Sequence, residues 1–332
     1  MHGWWLLAAI PVIAVVVYDV VMTAISANGS AGPVSGPLTS GIWRALRRGA
    51  RSPSSRRLTA AGPVVVVVLL GVWLLGLWLG WTLLFAADPG AIVDADTGAP
   101  ADVWQRAYFA GFALYTLGVG DLVPVGGVWR LATVVATING FTLLTLTVSY
   151  LIPVTSAVTD RRGLGITIRG LGATAQDVLE AAFDGRGFAP LGPHLRQLTP
   201  ALAHAAQTYR SYPVVHAFHD PRAASALEPG LARLHEVLVL LDHVDPAHRG
   251  VDRPTLDAAM HAIEDVLDAA EGAVPTDGPQ PEPLDLGVLV DLGVKLRDEP
   301  SAVTSARDGD RRAALAALVA DSRWSWRGAV VR

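Results

Sequence analysis

The strongest constraint on this chain is the stretch Pro63 to Ala86, "PVVVVVLLGVWLLGLWLGWTLLFA", which contains no charged side chain. A bilayer core about 30 Å thick takes about 20 apolar residues to cross as a helix. Two further runs meet that length, Trp4 to Ile25 and about Val128 to Val158. Lipid leaves no water for backbone N–H and C=O groups, so each run is expected to be a helix. The first run lacks the basic leader and small-residue cleavage site of a secretory signal, and reads as a span. The 332 residues are 51% hydrophobic and only 17% charged, too apolar for a wholly soluble protein of this size. Beyond Asp160, however, charged residues and helix formers take over, so a soluble part follows the membrane part. With no cysteine, disulfides and thiolate metal sites are excluded. A net charge of −4 gives no electrostatic footprint for nucleic acid.

Loop charge sets the expected orientation. Ser26 to Ala60 carries Arg44, Arg47, Arg48, Arg51, Arg56 and Arg57 without an acid, whereas Ala87 to Asp102 carries Asp88, Asp94, Asp96 and Asp102 without a base. The arginine-rich side is the cytoplasmic one. The N-terminus then lies outside and everything after Val158 inside, in a cell membrane crossed several times. The arginines, interspersed with Gly, Ser and Pro, read as a solvated loop facing lipid headgroups. Asp19, the acid of the first span, is expected to form an ion pair with one of them.

Between the second and third spans lies "VWQRAYFAGFALYT", Val103 to Thr116. As a helix it would reach only about 21 Å, too short to cross. Asp102 is a good N-cap and Gln105 occupies the position of a capping-box partner. Such a helix starts at the outer surface and points its C-terminal end, which favours a cation, toward mid-membrane. Next comes Thr116-Leu117-Gly118-Val119-Gly120-Asp121. Non-helical backbone at membrane depth persists only where it is buried in protein or lines a wet path. Gly118 and Gly120 permit positive φ, which costs other residues about 1–2 kcal/mol. Alternating handedness turns successive carbonyls to one side. Those carbonyls and the Thr116 hydroxyl make a row of oxygens able to replace the water shell of a monovalent cation.

"TLGVGD" resembles the potassium-channel signature TVGYGD, and the likeness extends from about Pro63 to Val158. Tyr108 and Phe109 fall where that family has an aromatic pair in its pore helix. "GDLVPVGGVWRLATVVATING" is similar to the filter exit and start of the inner helix, with Gly140 at the position of a hinge glycine. More narrowly, the chain is similar to actinobacterial ion-channel proteins with an extra N-terminal span and a helical cytoplasmic region. The resemblance implies an all-α membrane protein. Its parts are an N-terminal helix (1–26), a basic cytoplasmic loop (27–61) and a pore domain (62–159), followed by a helical cytoplasmic domain (160–271), a linker (272–284) and C-terminal helices (285–332). The pore domain divides into an outer helix (63–86), a re-entrant pore helix (102–115), a filter (116–121) and an inner helix (127–158). Two positions depart from the family. Val119 replaces an aromatic that braces the filter, and Phe112 stands where some members pair a glutamate with the filter aspartate.

In the third span Phe141, Leu144, Val148 and Ile152 recur at three- and four-residue spacing on one stripe. That stripe either packs on neighbouring helices or faces a pore axis, where its lower end would gate by dewetting. Gly140 and Pro153 are the expected bend points. One filter segment makes one quarter of a pore, so the resemblance implies a homotetramer. No segment carries the spaced arginines of a voltage sensor.

The cytoplasmic half reads as successive helices separated by Gly and Pro, with "GAVPTDGPQPEP" as the linker. "GLGITIRGLG", Gly163 to Gly172, has glycines but not the spacing of a dinucleotide-binding turn. His216, His219 and Asp220 in "VVHAFHD" are a weak zinc candidate, read as a surface or core cluster rather than a metal site. No nucleophile–base pair stands out, so no catalytic residue, metal or cofactor is expected and the chain does not read as an enzyme. The leading function is passive conduction of monovalent cations, potassium foremost. The alternatives are a weakly selective cation channel, and a non-conducting membrane scaffold or sensor that keeps the pore fold.

Overall fold

The computed structural model describes residues 3–25, 31–270, 281–297 and 302–330. Three helices are long and apolar enough to cross a membrane: Trp4–Ile25, Ala61–Ala86 and Gly126–Leu171. The chain divides into two compact units, one of Met1–Thr39 with Val64–Val154 and one of Ser40–Pro63 with Thr155–Arg332. The architecture is mostly helical, as the spans required.

The outer helix, Ala61–Ala86, belongs to the first unit from Val64 onward, and there it buries Val65, Leu69, Trp73, Leu77, Trp81 and Phe85. These recur every fourth residue and form one stripe, while Val67, Leu75 and Leu79 stay exposed on the rest of the surface. The N-terminal helix, Gly3–Ile25, comes close to the outer helix at glycines. A Cβ on Gly76 would press on Val16, and one on Gly80 on Ile13. Small residues of this kind let apolar helices approach where no hydrophobic force drives them together.

Asp19 does not make the expected ion pair. Its carboxylate is fully buried and accepts from the Val34 and Ser35 backbone N–H groups at 2.7 and 3.0 Å. It also accepts from the Trp73 indole at 2.7 Å and from the Ser35 hydroxyl. Val34 and Ser35 begin the helix Ser35–Arg48, whose first N–H groups have no partner of their own. An acid beside a helix N-terminus also meets its positive pole. Neutral donors therefore satisfy this acid, and Gly32 leaves room for it, since a Cβ there would overlap Asp19.

The second unit is built around the helix Leu227–Asp242, in which every residue is buried. Against it pack the helices Ala175–Ala182, Arg253–Ala270, Ala302–Asp321 and Trp326–Val330, and Leu191–Ser211 packs on Arg253–Ala270. Their core includes Leu179, Leu195, Leu238, Ile263 and Leu315. Arg161 and Glu228 form a buried ion pair, with the Arg161 guanidinium also donating to the Val215 carbonyl at 2.9 Å. The glycine-rich stretch from Gly163 is helical to Leu171, with no strand before it, so it makes no dinucleotide turn. Residues 272–280 of the expected linker lie outside the described residues; 281–284 are irregular.

The basic stretch is not a solvated loop. It holds the helices Ser35–Arg48 and Arg56–Thr59. Leu38, Ile42, Trp43 and Leu46 recur at helical spacing, a signal masked by the surrounding Gly, Ser and Pro. Arg47 pairs with Asp321 at 2.9 Å, and the Trp43 indole donates to the same carboxylate at 2.9 Å. His216 meets it as well, at 3.0 Å. Burial alone would raise the Asp321 pKa, but His216, Arg47 and Trp43 outweigh it and hold the group below the ordinary carboxylate range. His219 is instead bonded to the Pro53 carbonyl at 2.6 Å. The two histidines thus point to different partners, and no group of three metal-ligating side chains occurs among the described residues.

Candidate ion-conduction site

The short helix runs from Val103 to Leu114 and starts with the capping box its sequence announces. Gln105 N–H donates to the Asp102 carboxylate at 2.8 Å, and the Gln105 side chain accepts from Asp102 N–H at 2.7 Å. Phe109 is buried against Phe85 at 5.0 Å and Phe112 at 4.9 Å between ring centroids. Neighbouring helices hold this helix through its carbonyl groups. The Trp78 indole donates to the Ala107 carbonyl at 2.8 Å, and the Thr137 hydroxyl to the Ala113 carbonyl at 3.0 Å. At its end the Tyr115 hydroxyl donates to the Leu74 carbonyl at 2.9 Å.

The helix stops at a residue of reversed hand. Thr116 has φ +57°, and Leu117 N–H returns to the Phe112 carbonyl at 3.0 Å. That six-to-one bond with a left-handed residue inside it is a Schellman closure, a place where glycine is usual. A β-branched residue there is an outlier, and such strain concentrates at functional sites. Positive φ then recurs at Gly118 (+61°) and Gly120 (+85°), but not at Leu117 or Val119. Residues 116, 118 and 120 therefore alternate in hand with those between them. This is the backbone condition for aligned carbonyls. All of Thr116 to Asp121 is exposed in the single chain.

The exit from this segment is fixed by an element too short to be read from sequence. Leu122–Pro124 pairs antiparallel with Ile92–Asp94 of the acidic loop. Ala95 N–H donates to the Asp121 carbonyl at 2.9 Å, and Val125 N–H to the Ala91 carbonyl at 2.9 Å. The Asp94 carboxylate folds that loop by accepting from Thr97 N–H and its hydroxyl, both at 2.8 Å, and these bonds lower its pKa. With Phe112 where a glutamate would stand, the charge of Asp121 lies close enough to the Tyr108 hydroxyl to act on it electrostatically. Sequence spacing does not reveal that neighbour, although Tyr108 stands out as one of an aromatic pair.

The third span is one unbroken helix from Gly126 to Leu171, longer than the expected inner helix and continuous through Pro153. Ala136, Leu143, Tyr150 and Val154 are buried, with the Tyr150 ring 6.4 Å from that of Trp73. Phe141, Leu144, Val148 and Ile152 occupy another face, and all four are exposed in the single chain. Gly140 has a different relation to its surroundings. A Cβ there would fall inside contact distance of the Leu114 carbonyl and Cα. Gly140 thus lets this long helix meet the end of the short helix at Leu114, two residues before the reversed-hand segment begins.

A short capped helix and a segment of alternating hand thus lie between two apolar spans of a membrane protein. Residues 68–157 match the family model described as "Ion channel", in agreement with the pore-domain family of potassium channels. The chain is also 26% identical over 331 residues, 98% of its own length and 96% of the other, to "Uncharacterized membrane protein YdjJ" of Bacillus subtilis. No solved structure gives a significant match.

Proposed function

We propose that four copies of this chain surround an axis and conduct monovalent cations, potassium foremost, through the backbone of Thr116 to Gly120. The observation that carries this reading is the alternation of positive φ at residues 116, 118 and 120, directly after a helix whose C-terminal end favours a cation. One chain leaves these residues exposed, which agrees with a site completed by further copies. The sided distribution of arginines and aspartates puts the filter mouth outside and the helical unit in the cytoplasm. Val119 fills less space than an aromatic and offers no hydroxyl, so sodium is excluded less sharply than by a braced filter. The helical unit serves the pore as a regulatory or structural part, and the chain carries out no chemical conversion.

The test is flux of potassium, rubidium and sodium into liposomes containing the purified chain. We expect potassium and rubidium uptake with measurable sodium entry, all lost in Gly118→Ala. Intact tetramers without flux in any ion gradient would favour the scaffold reading instead.

A further inference from the structure

We infer that the second unit contains a binding site for a small organic cation, between the C-terminal part of the helix Gly126–Leu171 and the helix Leu191–Ser211. Residues of the two helices line a cavity of about 460 Å³, within the range of small-molecule sites. Ala157, Leu164, Leu198, Ala201, Ala205 and Val215 give it a mostly apolar wall. Alanines on both helices keep the space open.

Which molecule would fit follows from where charge remains. Arg161 lines the cavity but is already neutralised by Glu228, bonded to the Val215 carbonyl and covered by the Tyr209 ring at 5.6 Å. It therefore offers little to an anion. The Thr159 and Thr167 hydroxyls donate within their own helix, to the Thr155 and Gly163 carbonyls. Asp160 remains, 56% exposed, with the His204 imidazole 3.6 Å away on the facing helix. A carboxylate bordering an apolar space fits a protonated amine on an apolar body, the ammonium facing Asp160 and the body displacing water from the alanine wall. The contacts are local to this unit and do not depend on conduction.

Binding of naphthylethylamine to the full chain in detergent, measured by equilibrium dialysis against detergent alone, tests the site. Naphthylethanol serves as the uncharged control. The partly solvated Asp160 should favour the amine by about two- to fivefold, the range of an exposed ion pair. Asp160→Asn should remove that preference while leaving both compounds bound. Ala201→Trp places an indole in the space from an exposed helix position and should abolish saturable binding of both. If that variant melts early, Ala205→Leu replaces it. Equal binding of amine and alcohol to the wild type would overturn the charge argument. Saturable binding that survives the filled cavity, or none above detergent partition because a neighbouring copy closes the space, would overturn the site.

Discussion

Gly140 sets two effects of opposite sign against each other. Alanine in a helix interior is favoured over glycine by about 1 kcal/mol, so propensity alone makes Gly140→Ala stabilising. A hinge glycine would behave in that way, with a higher melting temperature and altered opening. The structure argues for the opposite result. The added methyl would meet the Leu114 carbonyl and Cα, which are backbone and cannot rotate aside. Forced overpacking costs about 1–3 kcal/mol, which outweighs the propensity gain. Leu114 lies two residues before Thr116, so the displacement reaches the reversed-hand segment. Gly140→Ala is therefore expected to lower the melting temperature in detergent and to reduce rubidium flux. A raised melting temperature would assign Gly140 to bending instead of close approach.

Among the elements, the helix Leu227–Asp242 has the clearest pH dependence. His235 is buried, neither ring nitrogen has a hydrogen-bond partner among the described residues, and its pKa is lowered to about 3 by burial, then by Arg311 and Arg312. Its ordinary value is near 6.5, so between about pH 6.5 and 3 the unfolded chain binds a proton that the folded chain refuses. Stability is thus full above pH 6.5 and falls as the pH drops through that window. Glu236, raised by its own burial, works in the other direction. His235→Leu should melt higher than wild type, and the difference should widen by about 2–3 kcal/mol between pH 7 and pH 4.5. Parallel acid limbs in the two melting profiles would refute this. The same scale shows what the sequence could announce. The capping box of Asp102 and Gln105 was legible because both partners lie within one turn, and the spans were legible from length and polarity. The pairing of Ile92–Asp94 with Leu122–Pro124 was not, because three residues are too few to show alternation. Asp19 misled because its backbone donors have no side-chain signature and Trp73 lies 54 residues away. Trp43 and Asp321 are separated by 278 residues, a distance over which no local pattern reports contact.

At the scale of the whole molecule, the face of the inner helix carrying Phe141, Leu144, Val148 and Ile152 has to be explained. These residues are 54–64% exposed in the single chain, so the helices of their own chain do not cover them. Both lipid and a pore axis accept an apolar face, and hydrophobicity cannot tell them apart. Access by a charged reagent can. The natural chain has no cysteine, so Leu144→Cys creates one reporter without background. If four copies place this face on the axis, a positively charged methanethiosulfonate applied from the cytoplasmic side reaches the introduced thiol through water. It attaches there and blocks rubidium flux. Mixing labelled and unlabelled chains should then give block in steps that reflect four copies, and native mass measurement should give the mass of four chains. A lipid-facing Leu144→Cys would stay unmodified, since a permanently charged reagent does not partition into hydrocarbon. Unchanged flux after full exposure, in a variant that still forms tetramers, would take this face off the conduction path. The gate would then have to lie elsewhere on the helix Gly126–Leu171.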